Sequence, residues 1–357
     1  MRRRWRPVFL GFAAFGLLLA GLTPAGVLAE KGAARPGRRP TPRVLIRPGR
    51  SPSVLGTAFS PANFPGSTDA DTDRFFSLAS ELGSHVVLIT EWKGEARLPV
   101  IREIARRTRE AGLWFHLSLS PISLDFQRQR PAIPPEAGGT SFQDAPVRAA
   151  FQAAALDLAA IEPDLLGLGT EVNLLAANGP EFDAYASMVR ETAGAVRARY
   201  PRQALAVSFQ WDVMRDRASF TPLDAFRGVV DVFSFTTYPA FFGDPARMPA
   251  DYYAAIRQIL PAERVELSEV GWTAPDAAAE AAQAAFFERM PELTRVLRPE
   301  FVSLALLHDV AVFTGDLEPL NHAGVRYRDG RPKRAWDSLR AGTFPSSPAA
   351  AAAVRRP

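Results

Sequence analysis

Residues 165–173 read Leu-Leu-Gly-Leu-Gly-Thr-Glu-Val-Asn, an apolar run that turns polar and acidic in its last residues. The same change recurs at 231–239, Asp-Val-Phe-Ser-Phe-Thr-Thr-Tyr-Pro, and at 264–272, Arg-Val-Glu-Leu-Ser-Glu-Val-Gly-Trp. Short continuous apolar runs mark strands covered on both faces, the condition of a parallel sheet. Working outward from Leu165–Gly169, seven more such runs are found: Val54–Phe59, His85–Thr90, Trp114–Leu119, Leu205–Phe209, Val232–Thr236, Val265–Ser268 and Val302–Leu307. Between them lie segments of helical period. Asp71–Leu82 sets Phe75, Leu78 and Leu82 on one face, and Leu98–Ala111 does the same with Val100, Ile101 and Ile104. Ala145–Ile161, Glu181–Tyr200, Pro249–Leu260, Asp276–Leu297 and Arg334–Leu339 follow.

Eight strands, with helical segments after all but the fifth, predict an α/β fold, a single (β/α)8 TIM barrel over residues 51–341. A doubly wound open sheet is the competing arrangement, but no Gly-rich phosphate loop follows the first strand. Residues 1–29 lie outside the barrel. Arg2, Arg3, Arg4 and Arg6 precede an uncharged apolar run from Val8 to Leu22, and Val27-Leu28-Ala29 supplies small residues before Glu30. Those are the parts of a secretory signal peptide. The run is 15 residues, short of the roughly 20 that span a bilayer. A secreted or periplasmic location is therefore expected, with an uncleaved anchor as the alternative. Residues 30–50 form a basic linker of Pro, Arg and Gly, and residues 342–357 a low-complexity tail.

Of the 42 Lys and Arg residues, 11 fall in residues 1–50. The remainder of the chain has 31 bases against 37 acids, so the folded part offers no basic excess for nucleic acid. The chain has no cysteine, which excludes disulfides, thiolate metal sites and cysteine nucleophiles. The four histidines, His85, His116, His308 and His322, show no ligand spacing, and no metal or cofactor is expected. No Gly-x-Ser-x-Gly elbow is present.

In a barrel of this kind, reactive residues gather where strands end. The ends here carry Glu91-Trp92, Thr170-Glu171-Val172-Asn173, Gln210-Trp211-Asp212, Thr237-Tyr238-Pro239, Glu269-Val270-Gly271-Trp272 and His308-Asp309. Carboxylates among aromatic rings suit a sugar site, because rings cover the apolar faces of pyranoses while carboxylates handle protons and nucleophilic attack. Glu171 ends strand four and Glu269 strand seven, 98 residues apart. A lone strand-end glutamate is more often a rim residue in a surface ion pair. Two that converge across a barrel mouth suit a glycosidase, whose carboxyl groups stand roughly 5–5.5 Å apart in retaining enzymes and roughly 6.5–9.5 Å apart in inverting ones.

Three motifs, LGLGTEVNLL (166–175), DVFSFTTYPAFF (231–242) and VELSEVGWT (265–273), resemble clan A glycoside hydrolases. The Tyr-Pro after strand six and the Glu-x-Gly-Trp after strand seven are most similar to the arabinogalactan endo-β-1,4-galactanases. The resemblance implies Glu171 as general acid/base, Glu269 as nucleophile and Tyr238 as a hydrogen-bond partner of Glu269. It implies Trp211 and Trp272 as walls of the sugar cleft and His308 near its floor, with Thr170 and Asn173 as further substrate contacts. The clan carries Asn immediately before its acid/base; this chain has Thr170, whose hydroxyl has a shorter reach. The clan's arginine near the end of strand two has only Lys93 as a substitute. The expected partner is a poly- or oligosaccharide, with no nucleic acid and membrane contact only through the signal segment, met by a monomer. Three functions remain open: glycoside hydrolysis, a glycan-binding barrel that does not cut, and a different barrel hydrolase or lyase in which Glu171 and Glu269 serve another chemistry.

Overall fold

The computed structural model describes residues 55–92, 98–123 and 129–341. The expected signal segment, linker and tail, together with Lys93, lie outside the described residues. Eight parallel strands close into a barrel in sequence order: β1 Leu55–Ala58, β2 His85–Glu91, β3 Trp114–Ser120, β4 Leu165–Gly167, β5 Ala204–Gln210, β6 Val232–Thr237, β7 Arg264–Val270 and β8 Val302–Leu304, with β8 pairing back to β1. The helices are α1 Asp69–Leu82, α2 Leu98–Glu110, α3 Ala145–Ala159, α4 Gly179–Arg199, α5 Trp211–Arg217, α6 Ala254–Ile259, α7 Ala277–Leu293 and α8 Arg334–Ala341. The chain is a single (β/α)8 barrel, as expected.

Local chemistry sets the helix ends. Thr68 caps α1 and Asp71 returns the bond to the Thr68 backbone, so two otherwise orphaned N–H groups are satisfied. Phe75, Leu78 and Leu82 are buried, as their spacing predicts. Asp276 caps α7 through the N–H groups of Ala278 and Ala279.

Three elements differ from the sequence reading. Helix α5 was not expected; its seven residues carry too few apolar positions to show a period. Only Ala254–Ile259 of the expected 249–260 helix is α-helical. The run Val302–Leu307 is not one strand, since Ala305 separates β8 from β9, Leu306–His308, which pairs with β10, Gly324–Arg326. The Leu307 N–H donates to Ser60 Oγ rather than to a neighbouring strand of the barrel.

The lower barrel is filled by Trp114, Leu165, Ala204, Ala206, Val232 and Phe301. Above this apolar layer the interior is polar. His116 Nδ1 lies 3.1 Å from Glu266 Oε1, Ser234 also donates to Glu266, and His85 Nε2 meets Ser303 Oγ at 2.6 Å. Burial alone would push the Glu266 carboxyl up, but His116, the Ser234 hydroxyl and His85 together outweigh it and hold the group below its ordinary range. Asp231, at the start of β6, accepts from the Leu205 N–H at 2.9 Å and pairs with Arg197, in keeping with a stabilising role at the bottom of the barrel.

Burial lowers the pKa of His85 to about 3 and of His308 to about 4. In the unfolded chain both would titrate near 6.5. Between these values the unfolded state binds protons that the folded state does not, so stability falls as pH drops from about 6.5. Each histidine contributes about 1.4 kcal/mol per pH unit within its window. His308 Nδ1 donates to the Ser60 carbonyl at 2.9 Å, a bond that an asparagine amide can keep. In urea unfolding between pH 6 and 5, His308→Asn is expected to lower the pH slope by about 1.4 kcal/mol per unit. An unchanged slope would contradict the burial argument.

Candidate active site

Glu171 follows β4 in the left-handed backbone region, at φ 54° and ψ 38°. A non-glycine residue there costs on the order of 1 kcal/mol, and such residues cluster at functional sites. The turn carries the side chain into the barrel, where Oε1 accepts from Thr236 Oγ1 at 2.6 Å. Glu171 is wholly buried. Thr170 Oγ1 lies 3.1 Å from Ser118 Oγ on β3, so this hydroxyl joins the barrel interior.

Glu269 reaches the same mouth by a different device. Along β7 side chains alternate, with Val265 and Leu267 packed in the outer core and Glu266 inside. Continued alternation would place Glu269 outside. The ladder is interrupted: Phe235 pairs with Leu267, but the next pair is Thr236 with Glu269, leaving Ser268 as an extra residue. The same interruption separates the Leu267–Val302 and Val270–Leu304 pairs on the β8 side. This β-bulge turns Glu269 inward and Val270 outward. Glu269 Oε2 then accepts from the Tyr238 phenol.

The two carboxylates therefore meet over one strand. Glu171 contacts Thr236 near the end of β6, and Glu269 contacts Tyr238, the residue that follows the strand. Gly271 keeps this contact possible. A Cβ at that position would lie 2.4 Å from the Tyr238 ring, which is too rigid to yield locally. Gly271→Ala is expected to displace the phenol from Glu269 and to lower any kcat/KM that depends on the Glu269 carboxylate by about 100-fold, with folding followed by circular dichroism.

The remaining expected site residues are placed differently. Asn173 accepts from the Gln210 N–H at 2.7 Å and donates to the Gln210 carbonyl at 3.2 Å. Its amide thus clasps the end of β5 and does not present itself to substrate. Trp211 and Trp272 are corrections: they are 0% and 3% exposed. Trp211 packs among Phe220, Phe235 and Tyr252, and Trp272 against Phe286 on α7. Neither ring has a free face for a sugar. They follow strand ends in sequence, but α5 and the outer core draw them away from the mouth. His308 is likewise engaged with the Ser60 backbone and is not an open floor residue. Glu91 and Trp92 line a cavity of about 420 Å³ bordered by α2 and α3. Phe220 stacks on Trp211 and Phe242 meets Tyr252 edge-on, so both pack loops.

Asp212 was not singled out from sequence, although its place two residues after β5 was a usable signal. It is buried and accepts from Gln210 Nε2, Thr237 Oγ1, the Tyr238 N–H and Tyr252 Oη. Burial pushes its carboxyl up, and these donors oppose the shift. Nearer the mouth, Tyr238 packs with Phe64, Val310 and Phe313. Among the described residues, no group of three or more His, Asp or Glu side chains could hold a metal ion.

Fold and site together define a (β/α)8 barrel with paired carboxylates at its mouth. Neither any protein-family model nor any curated protein matches the sequence. Solved structures do match it. The exo-β-1,4-mannosidase Op5Man5 from Opitutaceae bacterium strain TAV5 aligns at a TM-score of 0.64 and 15% identity, covering 80% of this chain and 58% of that one. A GH5_18 variant from Streptomyces cattleya, in complex with Manβ1-4GlcNAc, aligns at 0.63 and 17% identity, covering 86% and 83%. Bacteroides uniformis β-glucuronidase 2, covalently bound to cyclophellitol-6-carboxylate aziridine, aligns at 0.57 and 12% identity, covering 81% and 34%. The chain thus spans 58% of the mannosidase and 34% of the glucuronidase. At these identities the likeness is one of fold.

Proposed function

We propose that the protein is a retaining β-glycosidase that hydrolyses a poly- or oligosaccharide by double displacement. The observation that carries this reading is the convergence of Glu171 and Glu269 at the end of β6, one held by the Thr236 hydroxyl and the other by the phenol of Tyr238 just beyond the strand. In the first step Glu269 attacks the anomeric carbon while Glu171 gives its proton to the departing glycosidic oxygen. In the second, Glu171 takes a proton from water as that water displaces Glu269 from the anomeric carbon, returning the starting configuration. The Tyr238 phenol stabilises the carboxylate form of Glu269 in both the free enzyme and the departing state.

Two of the structural neighbours are named for β-1,4-mannoside cleavage or hold Manβ1-4GlcNAc, whereas the strand-six and strand-seven motifs resemble galactanases. β-1,4-Mannooligosaccharides and β-1,4-galactan therefore head the substrate panel. The test is release of reducing sugar, with the anomer of the first product read by NMR. A β-anomer product is expected, and an α-anomer would overturn the retaining mechanism. Export belongs to the same proposal: the mature protein should begin after residue 29, and recovery of intact residues 1–29 would overturn cleavage.

A second reading, a glycan-binding barrel without hydrolysis, is favoured by one feature: Thr170 stands where the clan has Asn, and its hydroxyl faces Ser118. Binding of panel members without release would support it.

A further inference from the structure

Asp212 is a buried carboxylate that the chemistry above leaves unassigned. It stands in the first turn of α5, outside the barrel wall, between the ends of β5 and β6. Its four donors come from three segments. Gln210 belongs to β5, and its own backbone is clasped by Asn173 from the loop that carries Glu171. Thr237 and the Tyr238 N–H, at 2.9 and 2.6 Å, belong to the end of β6. Tyr252 approaches from the segment ahead of α6 and is fixed edge-on by Tyr253 and Trp211. Thr237 Oγ1 also meets Tyr253 Oη at 3.1 Å.

The consequence lies on the other side of the strand. Tyr238 is gripped at its backbone N–H by Asp212 and extends its phenol inward to Glu269. A phenol on a fixed backbone can place its hydroxyl only where the backbone directs it, because the ring has just two rotatable bonds. With the ring also passing within van der Waals reach of Gly271, a shift of the Tyr238 backbone moves the hydroxyl off Glu269. Displacements of about 1 Å in such a contact cost on the order of 100-fold in rate.

We propose that Asp212 is a positioning residue for Glu269, acting through Tyr238. The inference rests on the reading of Glu269 as nucleophile and adds to it the element that sets its geometry. Asp212 touches neither substrate nor reacting atoms, so its influence must disappear once the phenol is gone.

The experiment is a double-mutant cycle read by covalent labelling of the full protein, followed by intact mass. The probes are β-gluco-, β-galacto- and β-manno-configured cyclophellitol aziridines, whose ring opening by a carboxylate forms an ester without need of further substrate. Asp212→Asn keeps the size of the side chain while replacing one acceptor oxygen by a donor. It is expected to slow labelling at least tenfold, with the single variant Tyr238→Phe slowed comparably. In the double variant, labelling should match Tyr238→Phe alone within about twofold. Tyr252→Phe removes one donor with little change of packing, and is expected to slow labelling by a few-fold only when Tyr238 is present. It decides the matter should Asp212→Asn not fold. Labelling of both Asp212→Asn and Tyr252→Phe at the wild-type rate, or losses that multiply with that of Tyr238→Phe, would overturn the inference while leaving Glu269 as nucleophile. Failure of all three probes to label the wild type, together with no turnover on the substrate panel, would instead overturn the underlying reading.

Discussion

On the proposed double displacement, Glu269→Ala is expected to lower kcat on a cleaved glycoside by about 10,000-fold or more, because the covalent step loses its nucleophile. Truncation leaves a space beneath the anomeric carbon that a small anion can enter. With azide present, turnover of an activated aryl β-glycoside should return and yield the α-glycosyl azide, since a single displacement inverts the centre. The fold should survive, because the strand keeps its bulge and its ladder. Turnover within tenfold of wild type would remove Glu269 from the mechanism, and with it the retaining assignment.

Glu171→Ala should show a different signature, dependent on the leaving group. Natural glycosides need a proton on the departing oxygen, so kcat/KM for an oligosaccharide should fall by about 100- to 10,000-fold, the usual worth of general acid–base catalysis. A dinitrophenyl glycoside leaves without protonation. Its first step should proceed, and the covalent glycosyl-enzyme should accumulate for lack of a base to activate water. Azide should then release the β-glycosyl azide, because two displacements restore the configuration. The two variants are thus distinguished by the hand of their azide products. Exchanged outcomes would exchange the roles of Glu171 and Glu269, and equal losses on both leaving groups would end the acid/base assignment.

The barrel was legible because its strands are short, mostly apolar runs that end in turn-forming or polar residues. All eight wall strands overlap the runs identified in sequence, though His85–Glu91 and Arg264–Val270 extend further than their apolar cores. The carboxylate pair was legible for the same reason, as acids placed where strands stop. What sequence could not convey was direction. Trp211 and Trp272 follow strand ends as the glutamates do, yet both are swept into the outer core. The difference lies in backbone turns: a left-handed residue at Glu171 and an extra residue at Ser268, neither with a distinctive composition. Asp212 stood in view at a strand end, but its role was hidden because its partners, Gln210, Thr237, Tyr238 and Tyr252, are spread over more than forty residues of chain and meet only in the folded molecule. The polar middle of the barrel was likewise illegible, since Glu266 and His116 each sit in an otherwise apolar run.

The irregularity at Ser268 also has a bearing on anyone who would transplant this chemistry. Below it, even-numbered positions of the strand look toward the axis; above it, odd-numbered ones do. A graft of the acid alone onto a regular barrel would leave it on the wrong side of the wall, buried against helices. What must be moved is the frame shift together with the glutamate, and a regular ladder that kept every residue of the strand, the serine included, would invert the orientation of everything that follows it.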